Sequence, residues 1–336
     1  MTGGGAERPV VLVTGAGGAA AVTLLEALAE DYTVAAADLD PLAVGLYLVP
    51  EERRGLLPRG EDESFVDELL DLARRVGAGL VIPTVDVELL AVAAARGRFA
   101  DHGIEVLVER TETLMTCLDK HVLMQHCADH VRVPRTVLWG EQATAEQVRD
   151  LGEPLIVKPR RGAGGRGFEV LPDAQALRRL PRDGTVIAQE LLPGEEFSID
   201  VLGRPEGGEP VAAVPRRRDK VDSGIAVAGR TVADPELVEI GRAVARAIGV
   251  VGVVNVQVRR AVDGTPALLE VNPRFPGTMS LTRAAGVDMP RLAVGAVLGR
   301  TLPERLDFTE VAVVRHWADV VVPVADYPFA PEARTS

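Results

Sequence analysis

The residues of this chain best suited to chemistry lie in two neighbouring stretches. Residues 253–260 read Val-Val-Asn-Val-Gln-Val-Arg-Arg and residues 267–277 read Ala-Leu-Leu-Glu-Val-Asn-Pro-Arg-Phe-Pro-Gly, with Asp263-Gly264 between them. The strict apolar–polar alternation of the first stretch is the period of a strand with one buried face, and Asp-Gly is the strongest short hairpin signal. If Asp263 and Gly264 are the two loop residues, Gln257 lies opposite Glu270 and Asn255 opposite Asn272, all on one face of a two-stranded ribbon. One carboxylate and three amides so placed suit a hard cation such as Mg²⁺, which takes oxygen ligands, keeps several waters and completes its shell with substrate phosphates. Zinc would ask for His and Cys. The expectation depends on register, because a bulge or one-residue slip turns Gln257 to the other face, and an ordinary exposed hairpin face has the same composition.

Such a ribbon needs a large framework, and 336 residues with 47% apolar content can bury cores for two or three domains. A net charge of -12 and a pI near 5.0 argue against nucleic-acid or anionic-membrane surfaces, which need a basic field. The two cysteines, Cys117 and Cys127, form no Cys-x-x-Cys unit. They are expected to be reduced core residues of a cytoplasmic protein. The amino terminus shows no basic-then-apolar leader, and no apolar run reaches the roughly 18 residues that span a membrane. No internal repeat is present.

In chain order, residues 10–13 form an apolar strand, followed by Gly15, Gly17 and Ala20 in a Gly-x-Gly-x-x-Ala turn, a helical pattern, and a second strand ending in Asp38. This is the dinucleotide fingerprint, although a glycine turn between strand and helix also serves close packing alone. A helix over 64–76 and a strand over 79–82 continue a βαβ rhythm and imply a parallel sheet. Asp86 and Glu88 leave that strand at its carboxyl end, where open α/β sheets bind ligands; they are either substrate contacts or a capped helix start. A single helix is expected over 111–130, carrying Lys120. His126 and His130 on it lack a third metal ligand. Thr144 and Gln147 resemble a capping box.

Residues 155–158 form a strand that runs through Lys158 into a loop containing Arg160, Arg161, Gly162, Gly164, Gly165 and Gly167, after which 168–171 is strand-like again. The loop fails the Walker pattern, which opens a helix, but a glycine-rich hairpin can close its N–H groups over phosphates. Strands over 185–190 and 196–202 flank Leu191, Leu192, Pro193, Gly194 and Glu195. An apolar linker between carboxylates suits an adenosine. Arg216, Arg217, Arg218 and Lys220 make the densest basic cluster, either a solvated loop or a phosphate clamp. Asp234-Pro235 caps a helix to Gly249. Helices over 280–285 and 290–298, a strand over 311–322 and a loose tail over 327–336 complete the chain.

Taken in order, Lys120, Ile156-Val157-Lys158-Pro159 with its glycine loop, the run from Gln189 to Glu196, and Asn255-Val256-Gln257 followed by Glu270-Val271-Asn272-Pro273-Arg274 resemble the ATP-grasp superfamily, in its carbamoyl-phosphate-synthetase-like branch of carboxylate–amine ligases. The resemblance spans residues 10–322. It implies a mixed α/β and α+β architecture, the ATP-grasp fold: a Rossmann-like pre-ATP-grasp domain (1–112) that does not bind NAD, a central lobe with the glycine-rich loop (113–190), a lobe with the metal site (191–326) and the tail. It implies ATP and Mg²⁺ (Mn²⁺ possible), with two ions.

By position, Lys120 and Lys158 resemble phosphate ligands, Gly164 and Gly165 the lid over the nucleotide, Glu190, Leu191 and Leu192 the adenine contacts and Glu196 the ribose carboxylate. Gln257, Glu270 and Asn272 resemble the metal ligands. Arg274 resembles the residue that steadies the reacting acyl group, and Arg216 a phosphate or substrate contact. Asp86, Glu88 and Arg218 are the expected substrate contacts, the two acids hinting at an amino-bearing substrate. Where relatives of the D-alanine ligase type carry an Asp in the first metal strand, this chain has Asn255 and Gln257, which points to the synthetase-like branch. The expected activity joins a small-molecule carboxylate to an amine through an acyl phosphate, releasing ADP and phosphate. A carboxylate or carbamate kinase, an NAD-dependent oxidoreductase and a non-catalytic ATP-binding protein are the alternatives. A homodimer is the commonest assembly for such an enzyme.

Overall fold

A computed structural model describes residues 8–162, 167–222 and 225–328. Its strands form three sheets. The first is parallel, with β1 (Val10–Val13), β2 (Thr33–Asp38), β3 (Arg54–Leu56), β4 (Ala78–Ile82) and β5 (Glu105–Val106) in the order β3-β2-β1-β4-β5. Val11, Leu12, Val13, Leu80, Val81 and Ile82 are all buried. Parallel strands with helices on both faces read as continuous apolar runs for this reason. The covering helices include α1 (Ala19–Leu28), α2 (Phe65–Arg75), α3 (Asp86–Ala94) and α4 (Arg96–Ala100).

The helix expected over 111–130 is two helices, α5 (Thr111–Cys117) and α6 (Lys120–Cys127). The break is at Asp119, whose extended backbone and carboxylate cap α6 by accepting from the His121 and Val122 N–H groups at 3.2 Å. The second sheet is antiparallel, with β6 (Thr136–Gly140), β7 (Leu155–Pro159), β8 (Glu169–Leu171) and β9 (Asp183–Glu190) in the order β6-β9-β7-β8. Helix α7 (Ala145–Arg149) starts with the expected Thr144–Gln147 capping box.

The third sheet holds β10 (Glu196–Leu202), β11 (Ala212–Asp222), β12 (Ile225–Thr231), β13 (Val253–Arg260), β14 (Pro266–Asn272) and β15 (Ala312–Val314) in the order β14-β13-β10-β11-β12-β15. Ile199, Val201, Val254, Val256 and Val258 on one face pack against Leu237, Val244 and Ile248 of α8 (Pro235–Ile248) and against Leu123 and Met124 of α6. The opposite face is polar and carries the site. Helices α9 (Met279–Ala284) and α10 (Met289–Val297) follow.

Two expectations are corrected here. The basic cluster at 216–220 belongs to strand β11, and strand character after residue 311 ends at Val314. The second follows from packing: Trp317 is 96% and Val321 93% exposed, so no apolar face is buried to hold a longer strand.

Candidate nucleotide and metal site

The hairpin pairs Gln257 with Glu270 and Asn255 with Asn272 as expected, but by a different route. Ala261 N–H donates to Thr265 O at 2.9 Å, so the loop holds three residues, 262–264, with Gly264 at φ +83°. That slips the strands by one residue, and Val258 pairs with Leu268. A bulge at Leu269 then restores the register at Glu270. It also lets Leu268 and Val271, three residues apart, enter the same apolar core. The carbonyl of Leu269, freed from the ladder, accepts from Lys158 Nζ at 3.3 Å.

Lys158 ends the apolar part of β7, and Lys120 is the first residue of α6. Both ammonium groups come to this hairpin: Lys120 Nζ lies 3.8 Å from Glu270 Oε2, and Lys158 Nζ reaches the neighbouring Leu269 carbonyl. Burial, reinforced by Lys120, pulls the Lys158 ammonium down to about 8 against the opposing pull of Glu270 and Glu196. The Gln257 and Asn272 side-chain amides have no protein hydrogen-bond partner among the described residues. One carboxylate and two amide oxygens fit a divalent cation of the Mg²⁺ type, bound by few protein groups with water and phosphate completing the shell. No cluster of three or more His, Cys, Asp or Glu exists among the described residues, so the donor set does not suit zinc. Asn255 leaves this set, since it is buried and its Nδ2 donates to Asp200 Oδ1 at 2.9 Å.

Asp119 was not singled out in the sequence, yet it organises the root of the glycine-rich loop. Besides capping α6, its buried carboxylate accepts from Arg160 Nε at 2.9 and 2.8 Å and from Arg161 at 3.3 Å. Lys120 N–H donates to Arg160 O at 3.0 Å and Lys120 Nζ to Gly162 O at 2.6 Å. Lysine, loop root and helix start therefore form one unit. Gly164 and Gly165 lie outside the described residues.

Glu190 is gripped by Arg135, whose Nε donates to Oε2 at 2.8 Å and whose carbonyl accepts from the Glu190 N–H at 3.1 Å, so the available main-chain edge is that of 191–192. Leu191 is half-buried, and Leu192 is buried in a small core with Ala261 and Ala267. Glu196 sits between Arg218, at 3.1 Å, and Arg259, at 2.8 Å, on the polar face.

Arg274 and Asp86, expected separately as catalytic and substrate residues, contact each other. Arg274 Nε and Nη2 reach the two Asp86 oxygens at 2.7 and 3.2 Å, tying the first sheet's α3 to the end of β14. Glu88, two residues on, points away from that pair and accepts from Thr14 Oγ1 inside the first domain. Burial, abetted by Asp38, raises its carboxyl to about 7 against the Thr14 hydrogen bond. Arg216 is fully buried beside Asp200, which also takes hydrogen bonds from Asn255 and Thr282; Arg216 donates in addition to Thr278 Oγ1. This network was missed because Asp200 stands in an otherwise apolar strand segment.

Comparison with known proteins accords with this geometry. Residues 182–320 match the model of "ATP-grasp in the biosynthetic pathway with Ter operon", and residues 11–107 match "PylC-like, N-terminal domain". The chain is 32% identical over 198 residues to the carbamoyl phosphate synthase large chain of Myxococcus xanthus (strain DK1622), covering 54% of this chain and 18% of that one. Residues 182–320 thus carry the ATP-grasp likeness, and the chain has the ATP-grasp fold. The large chain of Xylella fastidiosa (strain Temecula1 / ATCC 700964) is 29% identical over 203 residues, covering 54% of this chain and 18% of that one, so this chain spans about a fifth of the curated relatives' length. Among solved structures, Campylobacter jejuni biotin carboxylase in a β,γ-ATP complex superposes with a TM-score of 0.70 at 19% identity, covering 88% of this chain and 72% of that one. The N5-carboxyaminoimidazole synthetase of Staphylococcus aureus gives 0.69 at 14% identity, covering 90% and 80%. At those identities the superpositions speak for the ATP-grasp fold.

In this chain the amino-terminal glycine turn is engaged internally. Asp38 Oδ2 accepts from Gly17 N–H at 2.8 Å, and Gly45 N–H donates to Ala16 O at 3.0 Å. A Cβ on Gly45 would stand 2.5 Å from that oxygen, so the following segment packs directly on the turn a pyrophosphate would need. No helix among the described residues is long and apolar enough to cross a membrane.

Proposed function

We propose that the chain is an ATP-dependent carboxylate–amine ligase working through an acyl phosphate. The observation that carries this is the convergence of Lys120 and Lys158, from α6 and the second sheet, on the Leu269–Glu270 stretch of the third sheet, beside the Gln257 and Asn272 amides, which have no partner among the described residues. In this reading ATP lies between the two sheets, its adenine edge against the main chain of 191–192 and its ribose against Glu196. Glu270, Gln257 and Asn272 hold Mg²⁺ (or Mn²⁺), in one or two ions, which supplies charge neutralisation at the β- and γ-phosphates. The parts played by residues 1–112, 113–190 and 191–326 are those of a pre-ATP-grasp domain, a lid-bearing lobe and a metal-bearing lobe.

Lys120 and Lys158 steady the γ-phosphoryl oxygens while a substrate carboxylate oxygen attacks phosphorus, the bond to the β-phosphate oxygen breaks, and ADP leaves. The amine nitrogen then attacks the acyl carbon, phosphate departs, and the nitrogen loses a proton to give the amide. Arg274, held by Asp86, stabilises the oxyanion of that second step. The glycine-rich loop shields the acyl phosphate from water. Buried, free Cys117 and Cys127 support a reducing, cytoplasmic setting.

Thermal unfolding with Mg²⁺-ATP or with NAD, for wild type and Glu270→Ala, tests the nucleotide site without knowledge of the substrates. Ligand at about 100 times Kd adds roughly 2.7 kcal/mol. Stabilisation by Mg²⁺-ATP that Glu270→Ala abolishes is expected, and ADP release with paired carboxylates and amines follows. Stabilisation by NAD alone, or release of AMP and pyrophosphate in turnover, sinks the reading.

A further inference from the structure

The acids expected to greet an amino-bearing substrate are committed elsewhere, Asp86 to Arg274 and Glu88 to Thr14. The unneutralised charge lies farther along the same polar face and has the opposite sign. A shallow, solvent-open cleft between β11, β12, β15 and the start of α9 is lined by Arg216, Gly229, Thr278, Ser280 and Arg315, among others. Arg216 is 2% exposed, and although Asp200 and Thr278 take its terminal nitrogens, its Nε has no partner among the described residues. A buried guanidinium nitrogen without an acceptor is a rare and unfavourable arrangement.

Arg315 stands opposite, and among the described residues its guanidinium donates to the carbonyl of Gly277. No carboxylate lies within ion-pair distance of Arg315 among the described residues. Burial and the charge of Arg216 both push its guanidinium's pKa down. The Ser280 hydroxyl is also without a hydrogen-bond partner among the described residues. Two guanidiniums facing one cleft, with Asp200 paired to Arg216 and no carboxylate at ion-pair distance from Arg315 among the described residues, repel each other unless an anion enters. Guanidinium forks are shaped to grip carboxylate or phosphate.

The cleft is separate from the cation cluster. Across the sheet Glu270 pairs with Gln257, Gln257 with Ser198, and Ser198 with Arg216. Three strand spacings of about 4.8 Å put roughly 14 Å of backbone between Glu270 and Arg216. Both ends lie on one face, since residues at two-residue spacing on each strand share it.

We propose that this cleft is an anion subsite, held by Arg216, Arg315 and Ser280, that takes the non-reacting end of the substrate, so the substrate carries a second anionic group, a carboxylate or a phosphate. The substrate assignment rests on the ligase reading above; the anion subsite stands apart from it.

The test is the rate at which butanedione modifies Arg315 in the full chain, followed by peptide mass spectrometry with Mg²⁺ and a non-hydrolysable ATP analogue present. Succinate and inorganic phosphate are the two probes, each against sodium chloride at equal ionic strength, with the exposed Arg305 as internal control. At least one probe is expected to slow Arg315 about fivefold and leave Arg305 unchanged. The more protective one identifies the head group as carboxylate or phosphoryl. Arg315→Gln is expected to weaken that probe about tenfold, near 1.4 kcal/mol, with Arg315→Lys between. An unchanged Arg315 rate with both probes, equal slowing of Arg305, or undiminished probe affinity in Arg315→Gln overturns the subsite. Failure of the ATP analogue to bind the wild type overturns the ligase reading instead, and the Arg315 rates with each probe then still decide the cleft.

Discussion

Removing Asp86 isolates a bidentate ion pair between the amino-terminal α/β unit and the site. Arg274 reaches both Asp86 oxygens, at 2.7 and 3.2 Å, and the side chains keep 22% and 18% of their surface. At an effective dielectric near 20, charges ~4 Å apart attract by ~4 kcal/mol. Partial desolvation of both groups takes back more than half of that, which leaves a coupling of about 1–2 kcal/mol, above the range of exposed pairs and below that of fully buried ones. The assay is a double-mutant cycle of Asp86→Ala and Arg274→Ala, read from guanidinium denaturation midpoints at low and high salt. A coupling of about 1.5 kcal/mol that falls only slightly with salt is expected. Additive single mutants, with coupling under about 0.3 kcal/mol, would show that the pair does not join the two units.

Three further outcomes follow from the same geometry. Glu88 has its carboxyl raised to about 7 from 4.5, so the folded chain binds the extra proton. Its contribution is therefore full below pH about 4.5 and lost as pH rises through about 7. Glu88→Gln should flatten stability between pH 5 and 7.5 and match or exceed wild type at pH 8; a wild-type slope retained in the variant counts against this. Lys158, at about 8, should make Mg²⁺-ATP affinity fall about tenfold from pH 7 to 9, and Lys158→Arg should abolish the fall, as calorimetric titration would show. Asp119→Ala removes a helix cap worth about 1 kcal/mol together with the Arg160 pair. It should speed trypsin cleavage after Arg160 or Arg161 severalfold, and an unchanged rate would show that Asp119 does not anchor the loop root.

The parallel sheet, the capping box at Thr144 and the apolar face of β10 and β13 were legible in the sequence because each rests on local periodicity or a local hydrogen bond. The hairpin's carboxylate and amides were legible for a related reason, since residues at two-residue spacing share a face, whereas the roles of Lys120 and Lys158 came from the resemblance. The hairpin shows the limit of that logic. The expected pairs are present although the turn holds three residues, because the bulge at Leu269 offsets the longer loop by one residue. Only the packing of Leu268 and Val271 into one core selects that compensation.

What the sequence determined by itself was the inventory: which residue types occur, on which strand or helix, and on which face. Which charge meets which was decided only in three dimensions. Asp86 was free to be a substrate contact until Arg274, 188 positions later, was brought to it. The basic cluster could be a loop clamp until β10 set Asp200 beside Arg216 and left Arg315 without a carboxylate among the described residues. Ion pairing falls off steeply with separation and depends on how much water each group has lost, and both quantities are properties of the folded chain.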